Sequence, residues 1–130
     1  MKPFEKVLLI DDDDIVNSIN SVIIKHAKFA REVVAYTTVA AAIAYLSEVE
    51  TPPEVIFLDL NMPNLNGWDF MDEFGKTSRK GRTKVVMLTS SISLKDEKKA
   101  KTLDDVAAYI SKPLSPELLK QIYEDFLSQP

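Results

Sequence analysis

Four short runs in this chain are apolar at nearly every position, and they constrain its fold more than any other feature. They are KVLLI (6–10), EVIFL (54–58), KVVML (84–88) and AAYI (107–110). A strand with one wet face alternates polar and apolar residues, whereas a strand covered on both faces does not. Each run is short, and the segments between them carry helical patterns. Ile15, Ile19, Val22, Ile23 and His26 recur at helical spacing after the first run. VAAAIAYL (39–46), WDFMDEF (68–74) and the very polar SLKDEKKAKTL (93–103) predict three further helices. Ser115 and Pro116 suit a helix start, followed by a stripe of Leu118, Leu119, Ile122 and Phe126. REVVAY (31–36) reads as a fifth, weaker strand. Five strand–helix pairs predict an α/β fold: a five-stranded parallel sheet covered by helices on both faces.

The bulk numbers narrow the function. A chain of 130 residues fits one domain, residues 1–130, and buries enough surface to need no cross-links. It has no cysteine, which excludes disulfides and thiolate metal sites, and its single histidine excludes a multi-histidine zinc site. A net charge of −4 argues against direct binding to nucleic acid or to an anionic membrane. No apolar run approaches a membrane span, and the N-terminus MKPFEKVLL lacks a signal-peptide pattern, so a cytoplasmic location is expected.

In a parallel sheet of this kind, ligands sit at the carboxyl ends of the strands. Asp11 and Asp12 follow KVLLI, Asp59 follows EVIFL, Thr89 and Ser90 follow KVVML, and Ser111, Lys112 and Pro113 follow AAYI. Each has an ordinary explanation alone: an acidic turn caps a helix, and a lysine faces water. Their joint placement brings three carboxylates, several hydroxyls and an ammonium to one edge. Clustered carboxylates raise each other's proton affinity unless a cation joins them, and all-oxygen ligand sets favour magnesium, manganese or calcium. Asp11 and Asp12 are therefore expected to hold a divalent cation beside Asp59. Asp13 and Asp14 are expected to face solvent and start the helix.

The segments IDD (10–12), FLDLNMPNLNG (57–67), MLTSS (87–91) and YISKPL (109–114), in this order, resemble the receiver domain of two-component response regulators. The resemblance spans essentially the whole chain. It implies a flavodoxin-like, doubly wound (βα)5 fold with strand order 2-1-3-4-5. It makes Asp59 the acceptor of a phosphoryl group from a histidine kinase or histidine phosphotransfer protein. Mg2+, with Mn2+ as the alternative, would be held by Asp12, Asp59 and the backbone carbonyl of Asn61, with Asp11 acting partly through water. Lys112 would pair with Asp59 and then with a phosphoryl oxygen, and Lys112-Pro113 would be a cis peptide. Thr89 and Tyr109 take the switch positions, through which the face of helix four, strand five and helix five changes shape for a downstream protein target. A phosphorylation-dependent homodimer is compatible with this scheme. Such a protein catalyses only its own phosphorylation and dephosphorylation, and a stand-alone receiver is expected.

Departures from the family pattern are few. TLDDVAAY (102–109) lacks the glycine that many receivers carry before the fifth strand. Asn61 and Ser91 are small and polar at positions that tune water access to the acyl phosphate, so the phosphorylated form is not expected to be unusually long-lived. A haloacid-dehalogenase-like phosphatase would carry aspartate at position 61, where this chain has Asn61. A pseudo-receiver, binding partners without phosphorylation, is the other alternative. Trp68 and Phe70 are expected in the core or on a partner surface, and His26 in packing or at the surface.

Overall fold

The structure is a computed structural model that describes residues 2–60, 66–77 and 83–127. Its elements alternate as β1 (Phe4–Ile10), α1 (Asp14–His26), β2 (Ala30–Tyr36), α2 (Val39–Glu48), β3 (Val55–Asp59), α3 (Gly67–Phe74), β4 (Lys84–Thr89), α4 (Leu94–Lys101), β5 (Val106–Ser111) and α5 (Pro116–Leu127). The strands form one sheet in the order β2-β1-β3-β4-β5, every neighbouring pair parallel. This is the predicted topology. The strands run slightly longer than the apolar runs, because ladder bonds continue whatever the side chain. Asp59 and Thr89 thus end β3 and β4 rather than following them.

The sheet's two faces explain the unbroken apolar runs. Successive strand residues point to opposite faces. Leu8, Ile10, Ile56, Leu58, Val85 and Met87 pack on one side with Ala42, Leu46, Phe70, Met71, Phe74 and Ala100 of α2, α3 and α4. Val7, Leu9, Val55, Phe57, Val86 and Leu88 pack on the other with Ile24, Phe29, Leu119 and Ile122. β2 is an edge strand with Arg31 and Glu32 exposed, which is why its sequence signal is faint.

The structure corrects one reading. On α1 the buried residues are Asn17 and Ile24, while Ile15, Ile19 and Val22 are 70%, 54% and 67% exposed. The inward phase carries Asn17 and the half-buried Asn20 and Ser21, so counting apolar residues selects the outward face. His26 is exposed in the last turn. The expectation for the acidic run is met: Asp13 caps α1, its carboxylate accepting from the N–H groups of Ile15 (2.9 Å) and Val16 (3.4 Å), and Asp13 and Asp14 are exposed.

Phe70 lies in the core, and Trp68 is half-buried against it with the Lys99 Nζ 4.4 Å from its ring centroid. The glycine-free turn before β5 closes through Val106 N–H donating to the Leu103 carbonyl at 3.1 Å. α4 buries only Ala100, so its docking is weak. α3 is capped by Asn66, whose Oδ1 accepts from Trp68 N (3.0 Å) and Asp69 N (3.2 Å). Asn66→Ala is expected to lower the unfolding free energy by about 1 kcal/mol, read as a fall in the urea midpoint at unchanged slope.

Candidate functional site

β1 lies between β2 and β3, so the chain leaves its carboxyl end toward one side and returns on the other. That is the switch point at which an open parallel sheet forms a crevice. Asp11 stands directly after β1 and Asp59 at the last position of β3. Both are buried, at 4% and 1% exposure. Asp59 is registered opposite Leu88 of β4, and the Leu60 N–H donates to the Leu88 carbonyl at 3.0 Å. This keeps the Asp59 backbone in the ladder to its end.

Lys112 arrives from the far edge. Its backbone N–H donates to the Thr89 carbonyl at 2.8 Å, the Lys112-Pro113 bond is cis, and its Nζ forms an ion pair with Asp59 Oδ2. The Asp11 carboxyl hydrogen-bonds Asp59, and its pKa is pushed up to about 7. Burial is the main cause, followed by the hydrogen bond to Asp59. The Asp13 N–H on Asp11 Oδ1, at 2.9 Å, and the Lys112 charge work in the opposite direction. Asp12 follows on the same loop, half-buried.

Thr89 is buried, and its hydroxyl donates to the Ser91 carbonyl (2.8 Å) and accepts from the Ser91 N–H (3.1 Å). Tyr109 is half-buried against the core, and its hydroxyl accepts from the Ser93 N–H at 3.1 Å. The two expected switch residues therefore grip the same loop between β4 and α4 from different sides. Asn61 lies outside the described residues, as do Met62 and Pro63.

The profile of the response regulator receiver domain matches residues 7–124. The chain belongs to the response regulator receiver family. A two-component response regulator from Cytophaga hutchinsonii, known from a crystal structure, is 38% identical, with a TM-score of 0.88 over 98% of this chain and 100% of that one. Protein PilG of Pseudomonas aeruginosa is 30% identical over 88% of this chain and 81% of its own length. The probable methanogenesis regulatory protein FilR2 of Methanothrix harundinacea is 34% identical over 56% of this chain, a match spanning only 46% of that protein. No described helix of this receiver is long and apolar enough to cross a membrane.

The receiver's donor set suits a small hard cation. Among the described residues no three acidic or histidine side chains form a complete chelating group. The close pair is Asp11 and Asp59, and burial beside Asp59 raises the proton affinity of Asp11, which a divalent ion would offset. Magnesium takes few protein ligands and keeps several waters, so a carboxylate pair fits it.

One residue that the apolar count passes over belongs to this site. Asn17 is buried, and its Nδ2 donates to the Asp11 carbonyl at 3.0 Å. No periodic signal marks it, because the apolar rhythm of Ile15, Ile19 and Val22 places position 17 on the opposite side of the helix.

Proposed function

We propose that this receiver accepts a phosphoryl group on Asp59 from a histidine kinase or histidine phosphotransfer protein, and that the change is passed to the face formed by α4, β5 and α5. The observation that carries this reading is the ion pair of Lys112 with the buried Asp59, beside Asp11. An Asp59 carboxylate oxygen attacks phosphorus, and the bond from phosphorus to the donor nitrogen breaks with its electron pair leaving on the nitrogen. The carboxylate is a weak nucleophile, so positioning and charge neutralisation supply most of the rate. Mg2+ (or Mn2+), held by Asp11, Asp12, Asp59 and the Asn61 carbonyl, would neutralise charge on the phosphoryl oxygens. Lys112 moves its charge from Asp59 to one of these oxygens.

The Thr89 hydroxyl then turns from the Ser91 carbonyl to a phosphoryl oxygen. The loop it released shifts, Tyr109 gives up the Ser93 N–H and turns inward, and α4, weakly docked through Ala100, follows. A groove of about 300 Å³ between α4 and β5, lined by Glu97, Ala100, Lys101, Val106 and Tyr109, lies where this movement would be felt by a downstream protein. The exposed Ile15, Ile19 and Val22 give a donor protein apolar area on the helix that follows the acidic loop.

Incubation with acetyl phosphate and magnesium is expected to add one phosphoryl group by intact mass. Hydroxylamine should remove it, as for an acyl phosphate, and peptide mapping should place it on Asp59. No adduct would favour a pseudo-receiver, and steady turnover of small phosphoesters would favour a phosphatase.

A further inference from the structure

We infer that Asn17 is a positioning residue for the acidic loop, aiming the Asp11 side chain at Asp59. Its catalytic consequence rests on the receiver reading above, but the positioning itself does not.

Asn17 ties three elements together. Its Nδ2 donates to the Asp11 carbonyl (3.0 Å) and, at longer range, to the Tyr36 carbonyl (3.5 Å). Asp11 directly follows β1, and Tyr36 is the last residue of β2. The Asp11 N–H also reaches the Tyr36 carbonyl, at 3.3 Å. The Asn17 N–H donates to the Asp13 carbonyl at 3.1 Å. The Asn17 side chain thus holds the loop by the peptide at position 11, while the first backbone bond of α1 holds position 13 whatever residue stands at 17. Between them the Asp13 N–H donates to Asp11 Oδ1 at 2.9 Å, which sets the direction of the carboxyl. With both peptides pinned, Asp11 cannot swing away from Asp59 without breaking this set.

Space-filling does not account for the choice of residue. Asparagine is a poor helix former, and Asn17 is 4% exposed with an Oδ1 that has no hydrogen-bond partner among the described residues. A buried amide met on one side only costs stability, and an apolar residue of the same shape avoids that cost. Leucine is such a shape. The polar side chain is explained by the loop it ties rather than by the core it fills.

The test uses Asn17→Leu and Asn17→Ala in the full chain, each first shown to be folded by its thermal melt. Without metal, amide exchange at Asp11 and Asp13 should speed up relative to wild type, while β3 and β4 amides keep their protection. In calorimetric titration with magnesium, half-saturation should weaken about 10-fold, the scale of losing an outer-shell partner. At saturating magnesium the rate of phosphorylation by acetyl phosphate should recover to within about threefold of wild type, since the reacting atoms are untouched. Folded variants with wild-type exchange at Asp11 and Asp13 would overturn the inference, as would a lower melting temperature with unchanged magnesium affinity. If wild type binds no magnesium and takes no phosphoryl group, the receiver reading fails, and the metal-free exchange still decides the role of Asn17.

Discussion

Asp59→Asn is expected to take up no phosphoryl group from acetyl phosphate, and Lys112→Ala to take it up about 10²–10³ times more slowly than wild type. The two losses have different causes. Asp59→Asn keeps the shape at the end of β3 but replaces the attacking carboxylate with an amide. Lys112→Ala keeps the nucleophile and removes the ammonium that neutralises charge as phosphorus is transferred. Their effects on stability should also part. The Asp59 carboxylate is 1% exposed and faces Asp11, so without Lys112 it is a buried charge beside a like one. Breaking a buried pair by deleting one partner costs about 3–5 kcal/mol, and a loss of that order is expected of Lys112→Ala at pH 8. Asp59→Asn instead relieves the pressure on Asp11 and should unfold close to wild type. Initial rates of adduct formation by intact mass and urea unfolding at pH 8 measure both. A wild-type rate in Lys112→Ala would remove it from the mechanism, and an adduct on Asp59→Asn would move the acceptor elsewhere.

How much of this was legible in the sequence depends on what each signal reports. Runs such as Val7 to Ile10 and Val55 to Leu58 lack alternation because both faces of the sheet are covered, and that gives the fold class directly. In a parallel sheet every strand delivers its carboxyl end to the same edge, so Asp11, Asp59, Thr89 and Lys112 could be gathered from positions far apart in the chain. The edge strand β2 was faint because Arg31 and Glu32 face solvent there. The inner face of α1 was misread because Asn17, Asn20 and Ser21 are polar, while the exposed Ile15, Ile19 and Val22 supplied the apolar rhythm. Asn17 shows why: a side chain selected by backbone carbonyls at two strand ends leaves no periodic trace. The anchoring of Thr89 on Ser91 and of Tyr109 on Ser93 depends on the path of the loop between β4 and α4, which spacing does not encode.

Without metal, the protein is expected to become less stable as pH rises from 5 to 8, and magnesium should reverse the loss. Asp11 titrates near 7 in the fold against its ordinary 3.8, so between those values the folded state holds a proton that the unfolded chain has released. Where the folded state binds more protons, stability falls with rising pH. The contribution is complete below about pH 3.8 and is lost as pH passes 7. The difference between wild type and Asp11→Asn across the window from 5 to 8 isolates the Asp11 contribution. The expected fall is about 1–3 kcal/mol, read as a declining urea midpoint in EDTA. Asp11→Asn should flatten the profile and stabilise the metal-free protein at pH 8, since an amide bonds Asp59 without needing a proton. Magnesium competes with that same proton. Its apparent affinity for wild type should rise by up to about tenfold per pH unit below 7 and level off above, while Asp11→Asn should bind it more weakly and without this slope. A wild-type stability in EDTA that climbs steadily from pH 5 to 8 would mean that Asp11 is already ionised in the metal-free fold.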